Sequence, residues 1–135
     1  MGKILALDYG TKRIGYAVSD DGYTMAFPRG VLATNPRTKL LENLRKIARD
    51  DGITLIVLGM PLNEENEEAE SGAKVKRFGE LLARTLMLPI HYVDEFGSTD
   101  EALTKIPFKR DREAKGIRDA IAAQIILQRY IDGRK

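Results

Sequence analysis

Cysteine is absent from the chain, which excludes disulfide staples, thiolate zinc sites and cysteine nucleophiles. Histidine is nearly absent: the single one, His91, falls inside an expected strand, where a structural place suits it better than a catalytic one. Long apolar runs are missing too. The longest, around 4–7 and 55–58, fall far short of the roughly 20 residues that span a bilayer. The apolar stretch after Lys3 is broken by Asp8 too soon for a secretory signal, so a cytoplasmic protein without a membrane partner is expected. Charge of one sign is scarce as well: the formal net charge is +2, so a phosphate-binding surface would have to come from uneven distribution. What is present, 135 residues with 43% apolar and 31% charged, suits a single folded domain over 1–135 with no internal repeat.

Residues 4–7 form a continuous apolar run ending at Asp8-Tyr9-Gly10, the pattern of a strand buried on both faces with a polar tip. Ile14, Tyr16 and Val18 alternate with small residues, a second strand whose very short connection to the first demands antiparallel pairing. A third strand over 25–34 contains Pro28 and Gly30, which argues for an edge position or a bulge. Leu40, Leu41, Leu44, Ile47 and Ala48 then recur at helical spacing, with Asn35 as expected N-cap, Pro36 at the first helical position and Gly52 as the stop. A buried strand over 54–59 follows, parallel to a neighbour because a helix connects them. A second helix over 67–85 turns Ala73, Phe78, Leu81 and Leu82 inward, and a strand over 90–95 comes next. Ser98 to Glu101 reads as a capping box on a short helix. The closing helix, to about Ile131, carries Asp119 in its first turn and an inward set of Ile117, Ile121, Ile125 and Gln128 with Ala122, Ala123 and Ile126 beside them. The class is α/β: a mixed five-stranded sheet, a three-strand meander followed by alternating helices and strands, with helices on the faces.

Three carboxylates occupy positions where chemistry gathers. Asp8 ends the first buried strand, Glu95 ends the last, and Asp119 lies on the final helix. Open α/β sheets bind ligands beyond the carboxyl ends of their strands, where side chains from neighbouring strands meet. Carboxylates on rigid elements make a partial shell for a hard cation such as Mg²⁺, whose remaining positions water and phosphate can fill. Two such ions stabilise the attacking and leaving oxygens of an in-line phosphoryl displacement. Each acid taken singly is equally well a solvated side chain or a complement to a helix dipole. Asp94 competes with Glu95, since adjacent strand residues face opposite sides.

The segments Asp8-Tyr9-Gly10-Thr11-Lys12-Arg13-Ile14-Gly15, Val18-Ser19-Asp20, Gly59-Met60-Pro61-Leu62 and Asp94-Glu95, with Asp119 followed by Ala122-Ala123 and Ile126-Leu127-Gln128, resemble the YqgF family. Its members are described as Holliday-junction resolvases and as pre-16S ribosomal RNA nucleases, and the resemblance runs nearly end to end. It implies a ribonuclease H-like fold, Mg²⁺- or Mn²⁺-dependent hydrolysis of nucleic-acid phosphodiesters and a role in maturing the 5′ end of 16S rRNA. Asp8, Glu95 and Asp119 match the family's acidic positions, which favours Glu95 over Asp94. Two departures stand out: Phe96-Gly97 follows Glu95 where an arginine is usual, and Glu64, Glu65, Glu67, Glu68 and Glu70 occupy a loop that usually contains glycine.

Lys105, Lys109, Arg110, Arg112, Lys115 and Arg118 cluster before Asp119, and Lys12 and Arg13 follow Asp8. Each group reads either as a phosphate-backbone anchor or as an ordinary solvated surface. Two alternatives to a nuclease are a non-catalytic RNA-binding or ribosome-assembly factor using the basic segment, and a resolvase, which needs a symmetric dimer to present two active sites. The partner is a nucleic acid, rRNA precursor or branched DNA, free or within a ribosomal particle. Asp8-x-Gly-Thr-x-x-x-Gly also resembles the phosphate turn of actin-like and sugar-kinase ATPases, but those close two such domains on a nucleotide and this length supplies one.

Overall fold

In a computed structural model that describes residues 2–10, 12–60, 70–94 and 112–133, five strands and three helices alternate as the sequence pattern expects. The order is β1 (Lys3–Tyr9), β2 (Arg13–Ser19), β3 (Ala26–Ala33), α1 (Arg37–Asp51), β4 (Ile53–Met60), α2 (Glu70–Leu86), β5 (Ile90–Asp94) and α3 (Arg112–Gly133). The sheet order is β3-β2-β1-β4-β5. β1 pairs antiparallel with β2 and parallel with β4, and β5 adds parallel to β4.

The central strand is apolar on both sides because helices cover both sides. Leu5 and Leu7 join Ile14, Val18, Ile56 and Leu58 under Leu40 and Leu44 of α1 and Val75, Phe78 and Leu82 of α2. Ile4 and Ala6 face the other way, with Ala17, Ala26, Leu55 and Val57, under Ala123, Ile126, Leu127 and Ile131 of α3. The α3 side is rich in alanine, so this helix lies close to the sheet.

β3 is an edge strand and also bulged: Tyr16 pairs with Gly30 and Ala17 with Pro28, which leaves Arg29 as the extra residue. Proline without an N–H and a bulge both suit an edge, where they also discourage pairing with a foreign strand. The start of β3 is pinned by α3. Gln128 Oε1 accepts from Ala26 N at 3.0 Å, while Gln124 Nε2 donates to Ala26 O at 3.1 Å. The β2–β3 turn is built on Asp20, whose carboxylate accepts the backbone N–H groups of Thr24 and Met25 at 2.7 and 3.1 Å and the Thr24 hydroxyl. These bonds hold the Asp20 carboxyl below its ordinary value.

Several sequence expectations need correction. The N-cap of α1 is Pro36, with extended ψ of 150° and no side-chain cap, rather than Asn35. The Pro36 carbonyl opens the helix by accepting from Lys39 and Leu40, a role that needs no N–H of its own. Gly52 does terminate α1, in the left-handed conformation. In α2, Ala73 is exposed, and Val75, Phe78 and Leu82 form the buried stripe. α3 begins at Arg112, so Asp119 sits in its third turn and not its first. Its inward stripe runs through Ala123, Ile126, Leu127 and Ile131, leaving Ile117 46% exposed. The capping box at 98–101 and most of the Glu-rich run at 64–70 lie outside the described residues.

Candidate active site

The pleat of β1 decides which way its terminal acid faces. Ile4 and Ala6 belong to the α3-side cluster, and Asp8 continues their alternation, so it lies on the α3 side at the carboxyl end of the central strand. Tyr9 falls on the opposite side, its ring 4.7 Å from that of Phe78 between centroids. One residue of the Asp8-Tyr9-Gly10 motif thus faces the site while its neighbour anchors the strand end to α2.

Directly across the ladder from Asp8 stands Gly15. A Cβ at Gly15 would lie 2.0 Å from the carbonyl oxygen of Asp119, so α3 rests its backbone on the bare Cα of β2 at this point. Asp8 and Asp119 are brought to one face by the pair Asp8–Gly15 in the sheet and by the contact Gly15–Asp119 between layers. Glycine is required at Gly15 for close approach, not for an unusual dihedral angle. At Gly10 the constraint is similar: a Cβ would come within 2.6 Å of the Arg13 carbonyl, which keeps the β1–β2 turn tight.

Arg13, at the start of β2, donates through Nε to Oδ2 of Asp119. The ion pair is partly open to solvent, with the side chains 41% and 25% exposed. Beside it, Gly10, Lys12, Arg13 and Asp119 border a small open cavity of about 200 Å³. Lys12 is exposed, and its backbone carbonyl accepts from Thr34 N at 3.1 Å, tying the turn to the end of β3.

The other expected site residues divide by position. Arg112 and Lys115 lie in the first turns of α3. Glu95, Lys109 and Arg110 fall outside the described residues, although Asp94, just before Glu95, ends β5 opposite Met60 of β4. Among the described residues no three His, Cys, Asp or Glu side chains converge as a metal cradle. Asp8 and Asp119 supply carboxylate oxygens only, a donor type that fits a hard divalent cation and not a soft one.

The remaining motif residues are structural. Ser19 is buried and accepts the Ile4 N–H at 2.8 Å, securing the far end of the β1–β2 ladder. Gln128 holds β3, as described above. His91 meets the Tyr130 hydroxyl at 2.7 Å through Nδ1. Gly15 is the residue whose site role sequence reasoning missed. The signal was present as the last glycine of Asp8-x-Gly-Thr-x-x-x-Gly, but its partner is 104 residues away in sequence, on α3.

The family model described as "RuvX: Holliday junction resolvase" matches residues 2–133. This chain belongs to that family. A protein of Maridesulfovibrio salexigens named "Putative pre-16S rRNA nuclease" is 35% identical over 131 residues, covering 96% of this chain and 97% of that one. A protein of the same name from an Anaeromyxobacter species is 36% identical over 134 residues, 98% of each chain. Among solved structures, Thermus thermophilus RuvC in complex with Holliday junction substrate superposes with a TM-score of 0.62 at 16% identity, covering 99% of this chain and 96% of RuvC. The fold of this RuvX family member is accordingly the ribonuclease H-like one that the sequence resemblance implied.

Proposed function

We propose that this RuvX family member is a single-domain, cytoplasmic endonuclease that hydrolyses RNA phosphodiesters with Mg²⁺ or Mn²⁺, acting on the 5′ end of 16S rRNA precursor. The observation that carries the reading is the seating of Asp119 on Gly15, which gathers two sequence-distant carboxylates on one face at the end of the central strand. Glu95 is the third acid of the set. The resemblance to the family's acidic positions selects Glu95 over its neighbour Asp94.

In this reading Asp8, Glu95 and Asp119 hold the cation. When bound, it supplies positive charge that stabilises the phosphorane-like transition state of phosphodiester displacement. Lys12 and Arg13 lie on the turn that borders the cavity and draw in the phosphate backbone, while Gly10 keeps that turn close to the strand end. Lys109, Arg110, Arg112 and Lys115 add positive charge that holds the nucleic-acid backbone.

The test is to incubate wild-type protein and the variants Asp8→Asn, Glu95→Gln and Asp119→Asn with single-stranded RNA of the precursor 5′ end, matching DNA and a four-way junction, each with Mg²⁺, Mn²⁺ or EDTA. Metal-dependent RNA cleavage by the wild type, lost by at least about 100-fold in each variant with an unchanged circular dichroism spectrum, is expected. Cleavage confined to the four-way junction would favour a resolvase. Metal-independent RNA binding with no cleavage by the wild type would favour an assembly factor.

A further inference from the structure

Asp119 has a counter-ion built into the chain. Arg13 reaches it from β2, across the inter-layer contact at Gly15, and donates Nε–H to the carboxylate oxygen Oδ2. The Asp119 carboxylate brings negative charge to this end of the sheet, and the Arg13 guanidinium offsets it. The pair is partly solvated, and arginine sits on a long side chain, so the contact is weak enough to exchange. Guanidinium and a hard cation seek the same thing, carboxylate oxygen, and a positive charge held on Asp119 opposes a second one arriving there.

Resting on the metal-site reading above, we propose that Arg13 is a displaceable latch on Asp119. It neutralises the carboxylate in the metal-free protein, yields it to the cation, and is thereby released beside Lys12, at the edge of the cavity, to take a phosphate oxygen of the nucleic acid. The five N–H donors of a guanidinium, fixed in a fork, suit the second task as well as the first. Cation and nucleic acid then bind with positive coupling, because each favours the conformer in which Arg13 has left Asp119. Arg13 is a positioning and substrate-holding residue in this scheme.

The latch predicts an effect opposite to that of a residue that orients a metal ligand. Removing an orienting residue weakens metal binding; removing a competitor strengthens it. Mn²⁺ binding is measured by calorimetry, with no nucleic acid present, on the full chain as wild type, Arg13→Gln, Arg13→Lys, Asp119→Asn and the double variant Arg13→Gln/Asp119→Asn. Arg13→Gln is expected to bind Mn²⁺ at least about fivefold more tightly than wild type, Arg13→Lys to fall between the two, and Arg13→Gln to give no gain in the Asp119→Asn background. Equal or weaker binding by Arg13→Gln overturns the latch while leaving the metal site intact. A gain that persists without Asp119 also overturns it, since the effect is then one of general charge. Failure of wild type and Arg13→Gln alike to bind Mn²⁺ overturns the metal-site reading and the latch with it. If Arg13→Gln does not fold, Arg13→Lys carries the same comparison with the charge retained, and affinity below wild type overturns the proposal.

Discussion

Gly15 shows how much one missing Cβ can carry. Alanine at this position would place a methyl 2.0 Å from the Asp119 carbonyl, a contact with backbone that no rotamer change can relieve, so α3 must move off the sheet. Gly15→Ala is expected to lose about 1–3 kcal/mol of stability, the usual range for overpacking, and to lose cleavage in preparations that still fold. Denaturant melts beside single-turnover assays would check both; a variant with full activity would show that Asp119 need not be seated there. Asp20 offers a pH test at the same scale. Its carboxyl is held below 3.8 by the Thr24 hydroxyl and by the backbone N–H groups of Met25 and Thr24. A depressed folded-state value means that the turn stabilises the native state fully above the unfolded value and loses that contribution as pH falls through the folded one. Asp20→Asn should therefore lower the melting temperature at pH 6 and converge on wild type as the pH falls through the folded-state value, as followed by melts from pH 6 downward.

Among the elements, α3 does the most. It covers one face of the sheet, presents Asp119 to Gly15, and uses Gln124 and Gln128 to hold both backbone groups of Ala26 at the start of an edge strand. Gln128→Ala leaves the N–H of buried Ala26 without its side-chain acceptor, and an unmade hydrogen bond of this kind costs about 1–3 kcal/mol. The amides of β3 should then exchange faster with solvent than those of β1, and mass spectrometry of exchanging peptides would detect it. Equal exchange in both strands would mean that pairing with β2 alone holds β3. The inward stripe keeps Ala123 and Ile126 of the set read from sequence and adds Leu127 and Ile131, while Ile117 is left at the margin.

For the whole molecule the balance of charge is nearly neutral, and function depends on where the cations lie. Lys12 and Arg13 border the cavity, and Arg112 and Lys115 stand at the start of the helix that bears Asp119. If these groups hold phosphates, RNA affinity should fall steeply with salt, and each neutralising substitution among Lys12, Arg112 and Lys115 should reduce the magnitude of the log–log salt slope by about 1. Fluorescence anisotropy over a range of KCl concentrations reads this directly. A slope that does not change in Lys12→Ala would remove that residue from the interface. No described helix is long and apolar enough to cross a membrane.

From the sequence by itself came the class and order of elements, the antiparallel first pair, the parallel central pair and the placing of Asp8 at a strand end, because local periodicity and connection length determine these. For β3, Pro28 and Gly30 pointed to an edge position or a bulge, and the strand has both. Only the tertiary structure decided where α3 begins, which of its faces turns inward, that Pro36 and not Asn35 caps α1, and that Arg13 and Asp119 meet. These outcomes depend on the separation between layers, which residues far apart in sequence set together. A glycine in one strand and an aspartate on a distant helix carry no mark of each other until the sheet and the helix are packed.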